Sequence, residues 1–191
     1  MSRLPGKRDF PVEHIRRYLE PGPVVLVSSQ WRGKTNIMTM GWHTVMEFTP
    51  SLIGCVIASS NDSFEMIRKS KVCVINIPTA DMIDTVVGIG NTDGSETDKF
   101  ETFGLHPRKA TKVGAPLIDE CFASFECRIH DAKMIDAYDF FIFKVVKAHV
   151  APRPRYPKTL HYHGQGIFTE GGGKAVSRVR GFTKYRDTAT F

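Results

Sequence analysis

Apolar residues along this chain recur with two periods, and the change from one to the other marks its elements. Residues 11–20 carry Val12, Ile15, Tyr18 and Leu19 at helical spacing behind a proline, which predicts one amphipathic helix ending at Pro21-Gly22-Pro23. Residues 24–29 are a mostly β-branched run, Arg32-Gly33-Lys34 a turn, and residues 35–43 a second strand, together a hairpin. A third strand is expected over residues 44–59, interrupted near Pro50. Asp62 or Ser63 offers an N-cap, and Glu65 fits a capping box with Asp62 for a short helix over residues 64–70. A buried strand follows at 72–77, then a helix at 80–87, a glycine-rich acidic loop at 88–97 and a short turn at 98–103. Residues 123–129, 133–137 and 138–150 read as antiparallel strands, and 159–168 as a late strand beyond the proline-broken stretch 152–157.

Six or more strands with short helices and tight connections predict a closed or partly closed antiparallel barrel, because the strand-helix alternation of a parallel sheet is missing. Gly88-x-Gly90-x-x-Asp93 lacks the third glycine and the preceding strand of a dinucleotide fingerprint and reads as loop. With 191 residues the chain suits a single domain, 1–191, with the helix in 1–20 and a basic tail at 171–191 as extensions. Apolar residues at 41% and charged residues at 24% exclude a disordered chain. The apolar runs at 24–27 and 52–58 fall far short of the roughly 20 residues of a membrane helix. The N-terminal residues show no secretory pattern, so a cytoplasmic address is expected. Cys55, Cys73, Cys121 and Cys127 form no C-x-x-C pair and are expected as plain buried thiols.

Charge changes the picture in one half only. From Lys144 to Arg186 ten basic residues stand against one acid, Glu170, so that this half should attract anions. A solvated basic face and a surface for a phosphate-bearing ligand or nucleic acid both fit this distribution.

Two segments could carry chemistry. Asn36-Ile-Met-Thr-Met-Gly-Trp42 is either a core strand with methionine filler or a strand whose Asn36 and Thr39 meet a flat heterocycle with Trp42 beside it; both readings place it in a sheet. Ser59-Ser60-Asn61-Asp62-Ser63 brings small hydrogen-bonding groups to a helix start, where unpaired N–H donors suit either a simple cap or a phosphate. Asp62 speaks against the phosphate, since its carboxylate would compete with the anion. His161-x-His163 puts two imidazoles on one face of a strand, and with no carboxylate or cysteine nearby in sequence it reads as a polar pair lining a pocket rather than a metal site. No G-x-S-x-G, H-E-x-x-H or Walker pattern occurs, so hydrolysis and phosphoryl transfer drop away.

Asn36 to Trp42, followed by Phe48-Thr-Pro50, the Ser59 to Ser63 cluster, Val74-Ile-Asn76-Ile77, Asp98-Lys99-Phe100 and Gly104-Leu105, resembles the flavin reductase-like family, flavoredoxin subgroup, over about residues 20 to 170. The order and spacing of these motifs carry the resemblance. It implies a mostly β fold, an FMN-binding split barrel built as a six-stranded antiparallel Greek-key barrel with short helices, working as a homodimer. It implies that Asn36, Ile37, Met38, Thr39 and Trp42 lie against the isoalloxazine. Ser59, Ser60, Asn61 and Ser63 would then approach the phosphate, and Lys99 would reach the flavin. Tyr138 stands where the family often has a histidine, which leaves any imidazole role in doubt, and Phe168, with His163, falls in the closing strand that approaches the ring. No catalytic acid or base and no metal is expected.

The function implied is hydride transfer from NADH or NADPH to flavin. One alternative is a flavoredoxin-type carrier passing electrons between proteins, with Arg153, Arg155 and Lys158 suited to an acidic redox partner. A basic nucleic-acid-binding barrel is the other; it leaves both chemical segments unexplained. Free flavin is a further ligand, and neither nucleic acid nor membrane is expected as a partner.

Overall fold

The computed structural model describes residues 22–154 and 156–172; the helix expected at 11–20, Arg155 and the basic tail from residue 173 onward lie outside the described residues. The first hairpin joins β1 (Val25–Trp31) to β2 (Lys34–Met40), with Trp31 opposite Lys34. Its two turn residues, Arg32 at φ 49° and Gly33 at φ 83°, are both left-handed, the arrangement whose twist matches that of paired strands.

The third stretch divides into β3 (His43–Phe48) and β4 (Ser51–Val56), because Pro50 cannot donate to a ladder and the chain turns back on itself there. Next come α1 (Asp62–Ser70), β5 (Val72–Ile77), a 3₁₀ turn at Ala80–Met82, α2 (Ile83–Asn91) and α3 (Lys99–Thr102). The two-residue β6 (Pro107–Arg108) and β7 (Leu117–Ile118) pair with each other, ahead of β8 (Ala123–Asp131), α4 (Ile135–Tyr138) and β9 (Phe140–Val150). A last hairpin pairs β10 (Thr159–Tyr162) with β11 (Phe168–Gly171).

Seven strands make one antiparallel sheet in the order β2-β1-β5-β8-β9-β4-β3, one strand more than the six expected. Only Gly41 and Trp42 separate β2 from β3, yet these strands are the two free edges of the sheet. The sheet therefore curls until its edges face each other across that short link without pairing. This is the split of a split barrel.

Both faces of β1 are covered, so residues 25–29 are buried without alternation, the apolar Val25, Leu26 and Val27 and the polar Ser28 and Ser29 alike. Val25, Val27, Met38, Met40, Phe141 and Phe143 point into one core, completed by Phe64 and Ile67 of α1. Leu26 and Ile37 point the other way, into a second core with Val86 and Ile89 of α2, Phe100, Leu105, Ile118 and Leu160.

Four expectations are corrected by local forces. The cap of α1 is Asn61, whose side chain accepts from the Ser63 N–H at 2.9 Å, rather than Asp62 or Ser63. The helix expected to stop at residue 87 runs on through Gly88 and Gly90 to Asn91, because Gly88 lets the Phe103 ring press against its backbone. Residues 133–137 form a turn and α4 instead of a strand, and Asp139, left-handed at φ 54°, ends that helix. The late strand folds into the β10–β11 hairpin around Gly164 and Gly166, both at positive φ.

Candidate functional site

β2 is an edge strand, and its open side is where polar backbone meets solvent or ligand. The Ile37 N–H donates to Asn36 Oδ1 at 2.8 Å and the Ile37 carbonyl accepts from Lys99 Nζ at 2.9 Å, so both groups of residue 37 point outward. By the two-residue repeat of a strand, the N–H and C=O of Thr39 point the same way. Thr39 lines a cavity of about 610 Å³, within the roughly 300–1,000 Å³ of small-molecule sites.

Three elements wall this cavity. Met38, Thr39 and Met40 of β2, with Gly41 and Trp42, form one side. Val86, Val87, Gly90 and Asn91 form the second; their spacing puts them on one face of α2. Tyr162, Gly166 and Phe168 of the last hairpin form the third, with Val24 beneath. Tyr162 and Phe168 hold each other at 4.8 Å between ring centres, tilted by 44°, and Trp42 stays 53% exposed at the mouth. Among the described residues, no Lys, Arg, His, Asp or Glu lines the space. It suits a flat, uncharged ring with polar edges, gripped by aromatic faces and by the backbone of Thr39.

The walls are bolted together by hydrogen bonds between their elements. Thr39 Oγ1 donates to the Val86 carbonyl at 2.7 Å, which ties α2 to β2. Lys99, 6% exposed, donates from Nζ to Ile37 O at 2.9 Å and to Ile89 O at 3.1 Å, so it satisfies a carbonyl near the C-terminal end of α2 and the open edge of β2 together. Burial pushes its pKa below the ordinary value, with Asp62 and Asp93 pulling against that shift. Its neighbours in Asp98-Lys99-Phe100 also serve the fold, since Asp98 caps α3 by accepting from the N–H groups of 100 and 101, and Phe100 fills the second core.

Of the residues expected to contact a ring, Met38, Thr39, Trp42 and Phe168 meet at the cavity. Asn36 and Ile37 are buried beside it, and the Asn36 amide donates to Ser63 Oγ at 3.1 Å. The polar strand and the serine-rich helix start thus touch each other directly, while Ser59, Ser60, Asn61 and Ser63 stand outside the cavity lining. Ser63 is fully buried, and the Ser59 N–H donates to Asp139 Oδ2 at 3.0 Å. Lys99 gives its hydrogen bonds to carbonyls of the chain, Tyr138 is exposed at the end of α4, and His163 Nε2 lies 2.8 Å from Thr169 Oγ1; none of the three lines the cavity.

The α2 face and the Tyr162–Gly166 corner escape the sequence reading. Both could be found from the same signal, a helical or hairpin spacing that continues across glycines. Cys55, Cys73 and Cys127 are buried free thiols and Cys121 is half-buried, its pKa raised by burial to about 12. Among the described residues no group of three or more His, Cys, Asp or Glu is placed to hold a metal ion, and no helix is long and apolar enough to cross a membrane.

Comparison with known proteins gives this architecture its relatives. A family model described as flavin reductase like domain matches residues 16–171. The protein YddH of Escherichia coli strain K12, itself uncharacterized, is 30% identical over 186 residues, which cover 89% of this chain and 98% of YddH. An FMN-binding domain of a flavin reductase-like enzyme from Shewanella baltica superposes with a TM-score of 0.73 at 24% identity, covering 88% of this chain and 95% of that one. Flavoredoxin of Desulfovibrio vulgaris superposes with a TM-score of 0.75 at 19% identity over 96% of this chain and 99% of its own. At these identities the solved structures speak for the fold alone.

Proposed function

This chain belongs to the flavin reductase-like family, and from that premise we propose that it is an FMN-binding oxidoreductase, a flavin reductase that passes a hydride from NADH or NADPH to flavin. The observation that carries this reading is the cavity itself: an uncharged slot between the open edge of β2, one face of α2 and the Tyr162–Phe168 corner. A flavin ring is flat, and its pyrimidine edge alternates carbonyl and N–H groups, which is what the outward N–H and C=O of Thr39 can pair with. The ring end of FMN fits the residues present. Among the described residues, no basic side chain lines the cavity to meet its phosphate end.

Bound there, FMN supplies a ring that accepts a hydride from reduced nicotinamide. The chain's share is placement. Thr39 orients the polar edge through its backbone, Trp42 and Phe168 cover apolar surface and exclude water, and the Thr39–Val86 and Lys99–Ile89 hydrogen bonds fix the distance between the walls. Holding two rings near attack distance supplies most of what such a transfer needs, and no side-chain acid or base in the lining is required.

We take the working unit to be a homodimer. β3 is an edge strand, paired on one side with β4 and open on the other among the described residues, on which Val45, Met46 and Phe48 are exposed, Phe48 at 84%, next to Trp42 at the cavity mouth. An exposed apolar edge is a liability unless a second chain covers it. A cytoplasmic enzyme is the setting in which NAD(P)H is at hand.

A second reading, an electron carrier between proteins, is favoured by the half-exposed Trp42, which leaves the mouth open to a docking partner. The two are separated by titrating the flavin-loaded protein anaerobically with NADH and with NADPH: bleaching at a catalytic rate supports the reductase, and no bleaching supports the carrier. A purified protein that neither binds FMN nor oxidises either nicotinamide overturns both.

A further inference from the structure

Glycine gives up more backbone freedom on folding than any other residue, so each one costs stability against alanine unless its site requires it. Most glycines of this chain meet such a requirement. Gly33, Gly104 and Gly164 take left-handed φ angles, and a Cβ on Gly54, Gly88 or Gly94 would run into Phe140, Phe103 or the Asn36 amide. Three glycines line the cavity, Gly41, Gly90 and Gly166. Gly166, at φ 76°, belongs to the left-handed group. Gly41 and Gly90 do not: neither has a left-handed φ, and neither is crowded. A Cβ on Gly41 would meet no atom of the described residues within 4 Å. A Cβ on Gly90 would rest 3.5 Å from Thr39 Cβ and 3.6 Å from its Oγ1, an ordinary contact that an alanine makes freely.

Turn and cap chemistry do not call for these two either. The Gly41 carbonyl accepts from the His43 N–H at 3.2 Å, so that the bend centres on Trp42. Gly90 lies within α2, which runs on to Asn91 and ends at Thr92, at φ −105°. Glycine inside a helix lowers its propensity to form. One of the pair stands on the link from β2 to β3 and the other on α2, so bare backbone occurs on two separate walls of the same space.

Resting on the flavin-binding reading above, we infer that Gly41 and Gly90 are the positions at which the ring lies directly on backbone, and that their missing side chains set the width of the slot. Glycine is the residue that lets a ligand approach the chain this closely. A flat three-ring system needs that clearance along its length, and a single methyl group on either wall takes it away. The two glycines thus determine which ring is admitted, at a cost to stability that the fold alone does not ask for.

The test is titration of the purified full chain with FMN, followed by flavin fluorescence, beside Gly41→Ala, Gly41→Val and Gly90→Ala. Gly114→Ala is the control: a Cβ there also meets open space among the described residues, its φ is not left-handed and it stands outside the cavity lining. The alanine variants are expected to melt at the temperature of the unaltered chain or up to about 4 °C above it. FMN is expected to bind about three- to tenfold more weakly to Gly41→Ala and Gly90→Ala, more weakly again to Gly41→Val, and without change to Gly114→Ala. Unaltered FMN affinity in folded Gly41→Ala and Gly90→Ala overturns the inference and leaves the flavin reading in place. A melting temperature several degrees lower in either shows that the chain itself requires the glycine, and overturns it too. Sedimentation separates the remaining outcome: affinity lost only together with a change in association state assigns Gly41 to a contact with a second copy and overturns its role here. Failure of the unaltered chain to bind FMN removes the flavin reading and this inference with it.

Discussion

Lys99 donates its ammonium to the Ile37 carbonyl at 2.9 Å, and with a second bond to Ile89 O it clamps the cavity's helix to the cavity's strand from behind. Lys99→Met leaves the Ile37 and Ile89 carbonyls without that donor, each costing about 1–3 kcal/mol. Relief from burying the charge, which already depresses the lysine's pKa, offsets part of this. The expected outcome is a lower Tm, together with weaker flavin binding that Lys99→Arg restores in part. Unchanged flavin affinity in Lys99→Met would show that the clamp does not set the cavity's width.

How this clamp arises also shows what the sequence could reveal. The hairpin, the cored strands and the mostly β architecture follow from period-two patterning and from turn residues such as Arg32-Gly33, all of them local signals. Trp42 and Phe168 lie 126 positions apart, and only their motifs, not their spacing, marked them as neighbours. The role of Lys99 could not be read, because a lysine directed at the chain's own carbonyls has the same one-letter context as a lysine directed at a ligand. The acidic loop hid the most: nothing local says that Gly94 will donate to Asp62, a contact 32 residues apart. Gly88 and Gly90 misled for a physical reason, since glycine lowers helix propensity everywhere except where close packing requires it.

Glu126 is the acid most committed to the fold. Fully buried, it accepts from the N–H groups of Thr111, Lys112 and Val113, from Thr111 Oγ1 at 2.8 Å and from His149 Nε2 at 2.7 Å. Burial alone would raise its pKa, but the bonds from His149, Thr111 and Lys112 outweigh that and hold it at about 2, against an ordinary 4.5. A depressed carboxyl stabilises the folded state fully above its unfolded pKa and loses that contribution as the pH falls through the folded one. Denaturation midpoints are therefore expected to drop between about pH 4.5 and 2. Glu126→Gln is expected to lose about 1.5–3 kcal/mol at neutral pH, measured by urea unfolding, and to flatten that acid limb.

Gly94 touches Asn36, and an alanine there would drive its Cβ into an amide that cannot retreat. The Asn36 side chain is fixed from two directions, by the Ile37 N–H at 2.8 Å and by Ser63 Oγ at 3.1 Å. Gly94→Ala is expected to cost about 1–3 kcal/mol of stability or to lift the 93–95 loop off α1. Faster amide exchange at Gly94 and Ser95 without global unfolding would identify the second outcome.

Trp42 and Phe168 reach the cavity from opposite ends of the chain. Neither fills a core completely: Trp42 is half-exposed, and Phe168 packs on Tyr162 at the surface of the second core. Replacing either by alanine should leave the fold standing. An aromatic contact with a flat ring contributes about 0.5–1.5 kcal/mol beyond its buried area, so each variant is expected to bind flavin about three- to tenfold more weakly. The two losses should also couple. Removing Phe168 frees Tyr162 to turn into the gap, so Phe168→Ala loses less than Trp42→Ala, and the double variant falls short of the product of the singles. Flavin titration of all three proteins, with circular dichroism as the check on folding, measures each loss. Two folded single variants with unaltered affinity would place the ring somewhere other than this cavity.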